Sequence, residues 1–474
     1  VHAPLCARRL GHAEGPRDPD EDRQRVQLRP GIDGTDTGLV ARVFARLDRR
    51  LSSDAPQPVA LALSGGGDSI ALLRLAAAWA RARGRPLTAL SVDHRLNPAS
   101  ADWTRFAGEA ARAAGADWRG LVWDGDKPAT GLTAAARAAR HRLIAEAARA
   151  IGARVVLFAH TADDIAEADL MRAEGSTLGR VREWSPSPVW PEGRGLMLLR
   201  PLLDERRETL RAWLAGQGAE WIEDPANADP RFGRSRARRA LAGTVPDGAA
   251  AGRDRPSSEG ITANHDGTVR IARDVRARGL AAALVCVGGG ATPPRGDRLD
   301  RLMQRLQVGE DFAAALCGAR VEADGETILL MREAGELARR APPPLLLHPG
   351  VEAVWDGRFA FRASGAGWSV APARGRLSAL SAADRAAVNR APAAARGAAP
   401  VLIRDGQAGP VLAGAGVERR ELVAERLRLA LDETTHEDDL IAPPWRNAAE
   451  APIFGDRQSR PWAQSGPADD RGPQ

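Results

Sequence analysis

Short apolar runs alternate with longer amphipathic stretches through the first half of the chain. Pro58-Val59-Ala60-Leu61-Ala62-Leu63 is short, continuous and bounded by polar and glycine positions, so it reads as a buried strand. Leu87-Thr88-Ala89-Leu90-Ser91-Val92, residues 118–123 and Arg154-Val155-Val156-Leu157-Phe158-Ala159 read the same way. Between them, apolar positions three and four apart predict helices over 40–51, 69–83, 99–114 and 131–150, with another opening near Asp163. Strands alternating with helices imply an α/β domain with a doubly wound parallel sheet. Ligands in such sheets sit beyond the carboxyl ends of the strands.

The pattern changes along the chain and sets the expected boundaries. Residues 1–38 are polar, with Gly15-Pro16-Arg17-Asp18-Pro19-Asp20-Glu21-Asp22 in the middle, and read as a disordered leader. The α/β domain is expected over 39–243 and a linker over 244–262. A helical and hairpin domain is expected over 263–340. Its helices fall at 276–285 and 298–306, and its hairpin at 319–322 and 327–331 around Asp324-Gly325. Beyond Pro342-Pro343-Pro344, residues 345–430 read as a small β-rich domain and 431–474 as a polar tail.

Composition adds a partner class. The 474 residues carry a net charge of +6, almost all of it on arginine, since Lys127 is the single lysine. Arginine pairs with phosphate in two-point fashion, which suits RNA; abundant Ala and Gly and the lack of tyrosine also fit GC-rich coding. Cys6, Cys286 and Cys317 are scattered, which argues against a disulfide framework, a zinc site or a cysteine-ligated cluster. No signal-peptide pattern or membrane-length apolar run stands out, so a cytoplasmic protein without membrane attachment is expected.

The strongest chemical signal follows the first strand. Ser64-Gly65-Gly66-Gly67-Asp68-Ser69 places three glycines between a strand and a helix, where free N–H groups and the helix dipole suit a pyrophosphate. Asp68 would repel that anion unless a cation lies between them, which points to Mg²⁺. The loop lacks the Gly-Lys-Ser/Thr of a Walker A motif, and Ile70 stands where a dinucleotide fingerprint needs its third glycine. Three glycines alone would be an ordinary turn; the flanking Ser64, Asp68 and Ser69 tip the reading toward a site.

Further chemistry gathers at other strand ends. Val92-Asp93-His94 closes the second strand, where His94 serves either as packing or as a ligand contact. Arg137 and Arg140 share one turn of a helix and form either a phosphate clamp or a solvated face. His160-Thr161-Ala162-Asp163-Asp164-Ile165-Ala166-Glu167 brings an imidazole and three carboxylates to one strand-to-helix junction. One carboxylate suffices to cap a helix; three repel one another unless a metal or an ammonium group joins them.

In this order the motifs resemble the tRNA(Ile)-lysidine synthetases of the PP-loop ATP pyrophosphatase superfamily. The resemblance covers about 58–239. It includes Leu170-Met171-Arg172, Arg200-Pro201-Leu202-Leu203, Trp221-Ile222-Glu223-Asp224-Pro225-Ala226-Asn227-Ala228-Asp229 and the arginines that follow. Thr161 replaces a second histidine, Ile165 a glutamine, Ala168 a threonine and His141 a tyrosine.

The resemblance implies a PP-loop (adenine nucleotide alpha hydrolase-like) sheet followed by smaller helical and α+β domains. It implies a ligase that makes a carbon–nitrogen bond between L-lysine and C2 of the wobble cytidine of a CAU-anticodon tRNA(Ile). The cytidine is first adenylated by ATP, releasing pyrophosphate, and AMP leaves when the amine attacks. Ser64, Gly65, Gly66, Gly67, Asp68, Ser69, Val92 and His94 would contact ATP, with Asp68 holding Mg²⁺. Asp68, Arg137, His160 and Asp163 would be catalytic, with His160 moving a proton or orienting the base. Asp163, Asp164 and Glu167 would bind lysine, and Arg231, Arg234, Arg236, Arg238 and Arg239 would bind tRNA. Homodimerisation is left open. Three rivals stand beside this reading: a tRNA-thiolating PP-loop enzyme, an amide-forming PP-loop synthetase and a non-catalytic RNA-binding descendant.

Overall fold

The first six strands, β1 (Val59–Ala62), β2 (Leu87–Asp93), β3 (Asp117–Val122), β4 (Val155–Leu157), β5 (Trp184–Pro186) and β6 (Met197–Leu199), form one sheet in the order β3-β2-β1-β4-β6-β5. This computed structural model describes residues 34–176, 179, 181–224, 233–241, 260–340 and 342–448. The helices of this part are α1 (Gly34–Asp48), α2 (Gly67–Arg83), α3 (Ser100–Ala113), α4 (Leu132–Ala150), α5 (Ala162–Ala173), α6 (Arg207–Gly216) and α7 (Gly233–Ala240). Strands β1 to β4 and β6 pair in parallel, as the alternation predicts; only the edge strand β5 runs antiparallel, against β6. Near-continuous apolar runs such as Val155-Val156-Leu157 fit strands covered on both faces. Ala60, Leu90, Val156, Phe158 and Leu198 pack with Ile144, Ala145 and Ala148 of α4, while the alternate residues Leu61, Ala89, Val155 and Leu157 are equally buried.

The order of strands decides where a ligand can sit. From β1 the chain builds outward through β2 and β3, then crosses back to β4 on the other side of β1. Connections leaving β1 and β4 therefore diverge and open a crevice at their carboxyl ends. The glycine loop leaves β1 there, and His160 leaves β4 there.

The later regions are more β-rich than the sequence suggests. β7 (Ile261–Ala263), β8 (Val269–Ala272), β9 (Phe312–Leu316), β10 (Ala319–Asp324) and β11 (Thr327–Arg332) form a five-stranded antiparallel sheet with α8 (Ala277–Gly288) and α9 (Gly296–Gln307). The expected hairpin is β10–β11, turning at Gly325 and Glu326. Ile261, placed in the linker from sequence, is already in β7, while residues 244–259 lie outside the described residues. Next come α10 (Ala334–Arg340), β12 (Leu345–Leu347), β13 (Ala353–Trp355), β14 (Phe359–Ala363), β15 (Trp368–Pro372), α11 (Ala382–Val388), α12 (Ala393–Arg396), β16 (Pro400–Arg404), β17 (Val417–Glu421), α13 (Val423–Ala430) and β18 (Arg446–Asn447). These strands make two small sheets, β12-β15-β16 and β13-β14-β17-β18. Val423, Leu427 and Leu431, around α13, pack into the core of the preceding five-stranded region.

Residues 431–448, read from sequence as the start of a polar tail, are instead ordered against the α/β sheet. Glu437 and Arg85 form an ion pair at 3.1 Å with each side chain only 1% exposed. Glu437 Oε2 also accepts from Ser52 N at 3.1 Å, and Glu437 N donates to Arg50 O at 2.8 Å. Trp184 Nε1 donates to Thr434 O at 2.9 Å, and Asp432 pairs with both Arg182 and Arg278. Charged residues hid this segment, because a hydropathy pattern does not distinguish a solvated charge from one buried with its partner. The chain divides into two compact units, residues 1–42 and 43–474; of the first, residues 34–42 are helical, 34–38 of them inside the expected leader, and 1–33 lie outside the described residues.

Removing one partner of a buried pair strands the other charge. Glu437→Ala should destabilise the protein by about 3–5 kcal/mol in urea unfolding, whereas Arg85→Met with Glu437→Leu should recover most of the loss. A single variant as stable as wild type would show that the pair does not hold this segment.

Candidate active site

The glycine loop is fixed by a neighbour that sequence spacing does not reveal. Gly65 has φ +86°, and a Cβ there would lie 2.5 Å from Ile222 Cδ1. Ile222 N donates to Gly65 O at 2.9 Å, and Ile222 forms a parallel bridge with Gly66. Trp221 lies over Gly67. Trp221 and Ile222 thus line the loop through a single isolated bridge, while 225–232, including Arg231, lie outside the described residues. Ser69 Oγ donates to Gly66 O at 2.8 Å and lies 3.2 Å from Ser64 Oγ, bracing the turn from inside. Gly66 caps α2 without any side-chain acceptor, so the first N–H groups of α2 stay available to an anion.

Asp68 sits on the first turn of α2, and burial pushes its carboxyl up against the opposing pull of Arg207. Arg207 Nε donates to Asp68 Oδ2 at 3.0 Å. The same guanidinium reaches Glu167 Oε1 at 3.1 Å and lies 3.6 Å from Asp164 Oδ1. Its own backbone N–H donates to Asp163 Oδ2 at 2.8 Å. Four acidic residues from two separated motifs therefore meet on one arginine. Burial disfavours that charge, yet the surrounding carboxylates more than offset it and hold Arg207 protonated beyond its ordinary range.

The acidic residues divide their duties. Asp164 Oδ2 accepts from Thr161 N at 2.9 Å and Thr161 Oγ1 at 3.0 Å, capping α5. Asp163 caps α6 through Arg207 N and lies 3.5 Å from Arg206. Glu167, 1% exposed, shares Oε1 between Arg207 and Arg238 Nε, the latter at 2.8 Å. Glu167 Oε2 and Asp68 Oδ1 are buried and have no hydrogen-bond partner among the described residues. A buried carboxylate oxygen without a donor is costly, so each is suited to an incoming cation.

The other wall of the crevice is basic. Arg200 Nε donates to His160 Nδ1 at 3.2 Å, while its Nη1 is held by Arg182 O and Ser185 Oγ. Arg200 is pulled down to about 10 by burial and by Arg137 and Arg182. Burial first, then Arg200, with Arg234 and Arg137 beyond, drives His160 well below the usual imidazole range despite Asp164. With Nδ1 accepting, the proton of neutral His160 sits on Nε2. His160 is thus a fixed donor that can orient a base or an oxygen. Phe158 stacks between His141 and His160, with centroids 5.3 and 6.0 Å away.

At the end of β2, burial and Arg140 lower His94 to about 4. Arg140 Nε approaches His94 Nε2 at 3.4 Å, which leaves the buried Nδ1 as a free donor among the described residues. The Val92 side chain packs on the core instead, so only its backbone faces the strand end. Arg137 and Arg140 are exposed, and no carboxylate pairs with them among the described residues. Of the arginines expected to grip RNA, Arg238 is committed to Glu167, and Arg234 lies 3.6 Å from Asp164; Arg236 and Arg239 occupy the same short helix α7.

Comparison with known proteins places this geometry. Residues 40–245 match the family described as a PP-loop domain. A tRNA(Ile)-lysidine synthase of Caulobacter vibrioides is 47% identical over 410 residues, covering 86% of this chain and 97% of that protein. The chain belongs to the tRNA(Ile)-lysidine synthase family. Further members from Hyphomonas neptunium and Rhodopseudomonas palustris are 37% and 38% identical, covering 65% and 66% of this chain and 89% and 84% of theirs.

Two of the departures at the site have structural accounts. Thr161 is fully buried and closes the α5 cap, and His141 joins the Phe158 stack. Ala168 is buried in α5; nothing in the structure explains Ile165. Neither described cysteine serves the thiolating rival at the glycine loop: Cys286 is buried in the core of the five-stranded region and pushed up to about 11 by burial, and Cys317 sits in the β9–β10 turn. Cys6 lies outside the described residues. Among the described residues no helix is long and apolar enough to cross a membrane.

Arg207 was missed from sequence, although a signal existed. Arg206 and Arg207 open α6, where a helix dipole disfavours positive charge. Two arginines there imply acidic partners from elsewhere in the fold.

Histidines that the fold holds neutral contribute stability fully present above the free imidazole value of 6.5. That contribution is lost as pH falls below 6.5 toward the folded value, about 3 for His141. Nitrogen-15 histidine spectra at pH 6 should show His141 and His160 neutral, with His160 carrying its proton on Nε2. An imidazolium signature for either at that pH would contradict the burial argument.

Proposed function

We propose that the protein is a tRNA(Ile)-lysidine synthase that joins L-lysine to C2 of the wobble cytidine of a CAU-anticodon tRNA(Ile). The observation that carries this reading is the meeting of an ATP-type glycine loop with a carboxylate pocket through Arg207. Cytidine O2 attacks the α-phosphorus of ATP, and pyrophosphate leaves. The ε-amine of lysine then attacks C2, the C2–O bond breaks, and AMP departs.

Each step has residues suited to it. The loop N–H groups and the α2 dipole receive the pyrophosphate. The open oxygen of Asp68 fits Mg²⁺; no group of three protein ligands gathers among the described residues, so phosphates and water would complete its shell. That ion would offset the charge on the leaving group. His94 Nδ1 supplies a donor for the nucleotide at the β2 end. Arg137, exposed and facing other arginines, suits the α-phosphate and the adenylate. His160 Nε2 orients the cytidine or its adenylated oxygen. Glu167 Oε2 and Asp163 offer anionic contacts for the lysine ammonium groups, and one of these carboxylates accepts the proton that frees the ε-amine. Asp164 serves mainly as a cap. Arg236 and Arg239, exposed on α7, suit phosphates of the anticodon arm, where an unpaired base is easily turned out.

The test supplies purified protein with ATP, Mg²⁺, radiolabelled L-lysine and CAU-anticodon tRNA(Ile). Lysine-dependent label in the tRNA is expected, and its absence would overturn the reading. Asp68→Asn should slow pyrophosphate release by roughly 10²–10³-fold. Asp163→Asn should depress lysine incorporation more than pyrophosphate release; an equal loss of both would move Asp163 out of the amine pocket.

A further inference from the structure

The two half-sites share one cation. Arg207 Nε binds Asp68 Oδ2 at 3.0 Å on the nucleotide side, and its Nη1 binds Glu167 Oε1 at 3.1 Å on the amine side. Its backbone is pinned by Asp163 at 2.8 Å, so the guanidinium pivots on a fixed base. The two carboxylates that it joins are also those with a buried, unpartnered oxygen, Asp68 Oδ1 and Glu167 Oε2. Each carboxylate therefore has one oxygen held by Arg207, shared at Glu167 with Arg238 at 2.8 Å, and one buried oxygen with no partner among the described residues.

We propose that Arg207 is a positioning residue that makes occupancy of the nucleotide site and occupancy of the amine site antagonistic, and so orders the two half-reactions. The proposal rests on the functional reading above. With Asp68 unpartnered on its outer side, Arg207 divides its charge between Asp68 and Glu167. When a nucleotide-bound divalent cation engages Asp68, the aspartate's pull on Arg207 weakens, and the guanidinium leans on Glu167. Glu167 then has less negative charge to offer an ammonium group, so lysine is held weakly. Once pyrophosphate and its cation depart, Arg207 returns to Asp68, and Glu167 opens to the amine. Lysine thus binds best when the adenylated base is ready for attack. It binds poorly while ATP is intact, which protects the α-phosphate from a premature amine.

The sign of the effect separates this relay from direct electrostatics. Mg·ATP is a net anion, so its own field would tighten the binding of an ammonium group. Weaker binding that disappears when Arg207 is replaced assigns the coupling to this guanidinium, which contacts both sites at once.

The experiment measures equilibrium binding of radiolabelled L-lysine to the full chain, without nucleotide and with Mg²⁺ and α,β-methylene-ATP. Wild type should bind lysine about tenfold more weakly with the analogue, within the usual range of site-to-site coupling. In Arg207→Gln the ratio should fall to about one or invert. Arg207→Lys keeps the charge but not the fork, so it should show a ratio of about three or less, and it serves should the glutamine variant fail to fold. Equal lysine affinity in both wild-type states, or a tenfold ratio kept in the variants, would overturn the proposal alone. No lysine binding in any wild-type state would overturn the functional reading and the proposal together.

Discussion

Carboxylates crowded into a water-poor crevice repel one another, and the centre of this protein is organised around a guanidinium that reaches Asp68, Asp164 and Glu167 together. Arg234 and Arg238 add charge from α7, at 3.6 Å from Asp164 and 2.8 Å from Glu167, and Arg207 extends the pairing to Asp68. The arginine in turn depends on α6, whose first N–H is held by Asp163. The helix, the glycine loop and α5 are thereby tied to one another through charge as well as through the apolar core.

The crevice is divided electrostatically. Asp68, Asp163, Asp164 and Glu167 gather around Arg207, while Arg200 and Arg137 act on His160 and Arg234 lies between, 3.6 Å from Asp164. A reaction that joins a phosphate-activated base to a cationic amine needs both signs within reach, kept from neutralising each other. His160 is kept neutral by burial and by the arginines near it, so it adds a directed hydrogen bond without adding charge.

Much of this was legible in the residues. β1 to β4, the helices between them and the hairpin at Gly325 were read from local pattern, because buried parallel strands and tight turns leave short-range signatures. The loop, the His160 cluster and the arginine helix were visible because strand ends gather chemistry. The antiparallel β5, the sheet strands β7 to β9 and the ordered segment after Leu431 were not. Their stability comes from partners far along the chain, such as Glu437 for Arg85. Arg207 was hidden for the same reason: its meaning lies in residues 40 and 139 positions away, and only the oddity of a basic helix start hinted at it. Residues 221 and 222 were noted as part of a motif, yet their seat against Gly65 and Gly67 appears only in three dimensions.

The Arg85–Glu437 pair joins residues 352 positions apart, and it lies beneath the α/β sheet rather than at its reactive edge. During synthesis the N-terminal sheet emerges long before its buried arginine can be neutralised. Until Glu437 leaves the ribosome, Arg85 has the carbonyls of Ser52 and Gln57 to donate to but lacks its balancing charge, so closing the α2–β2 corner over it is costly. The catalytic domain is therefore finished by a segment made well after it, and a nascent chain can display the glycine loop without yet having a settled active site.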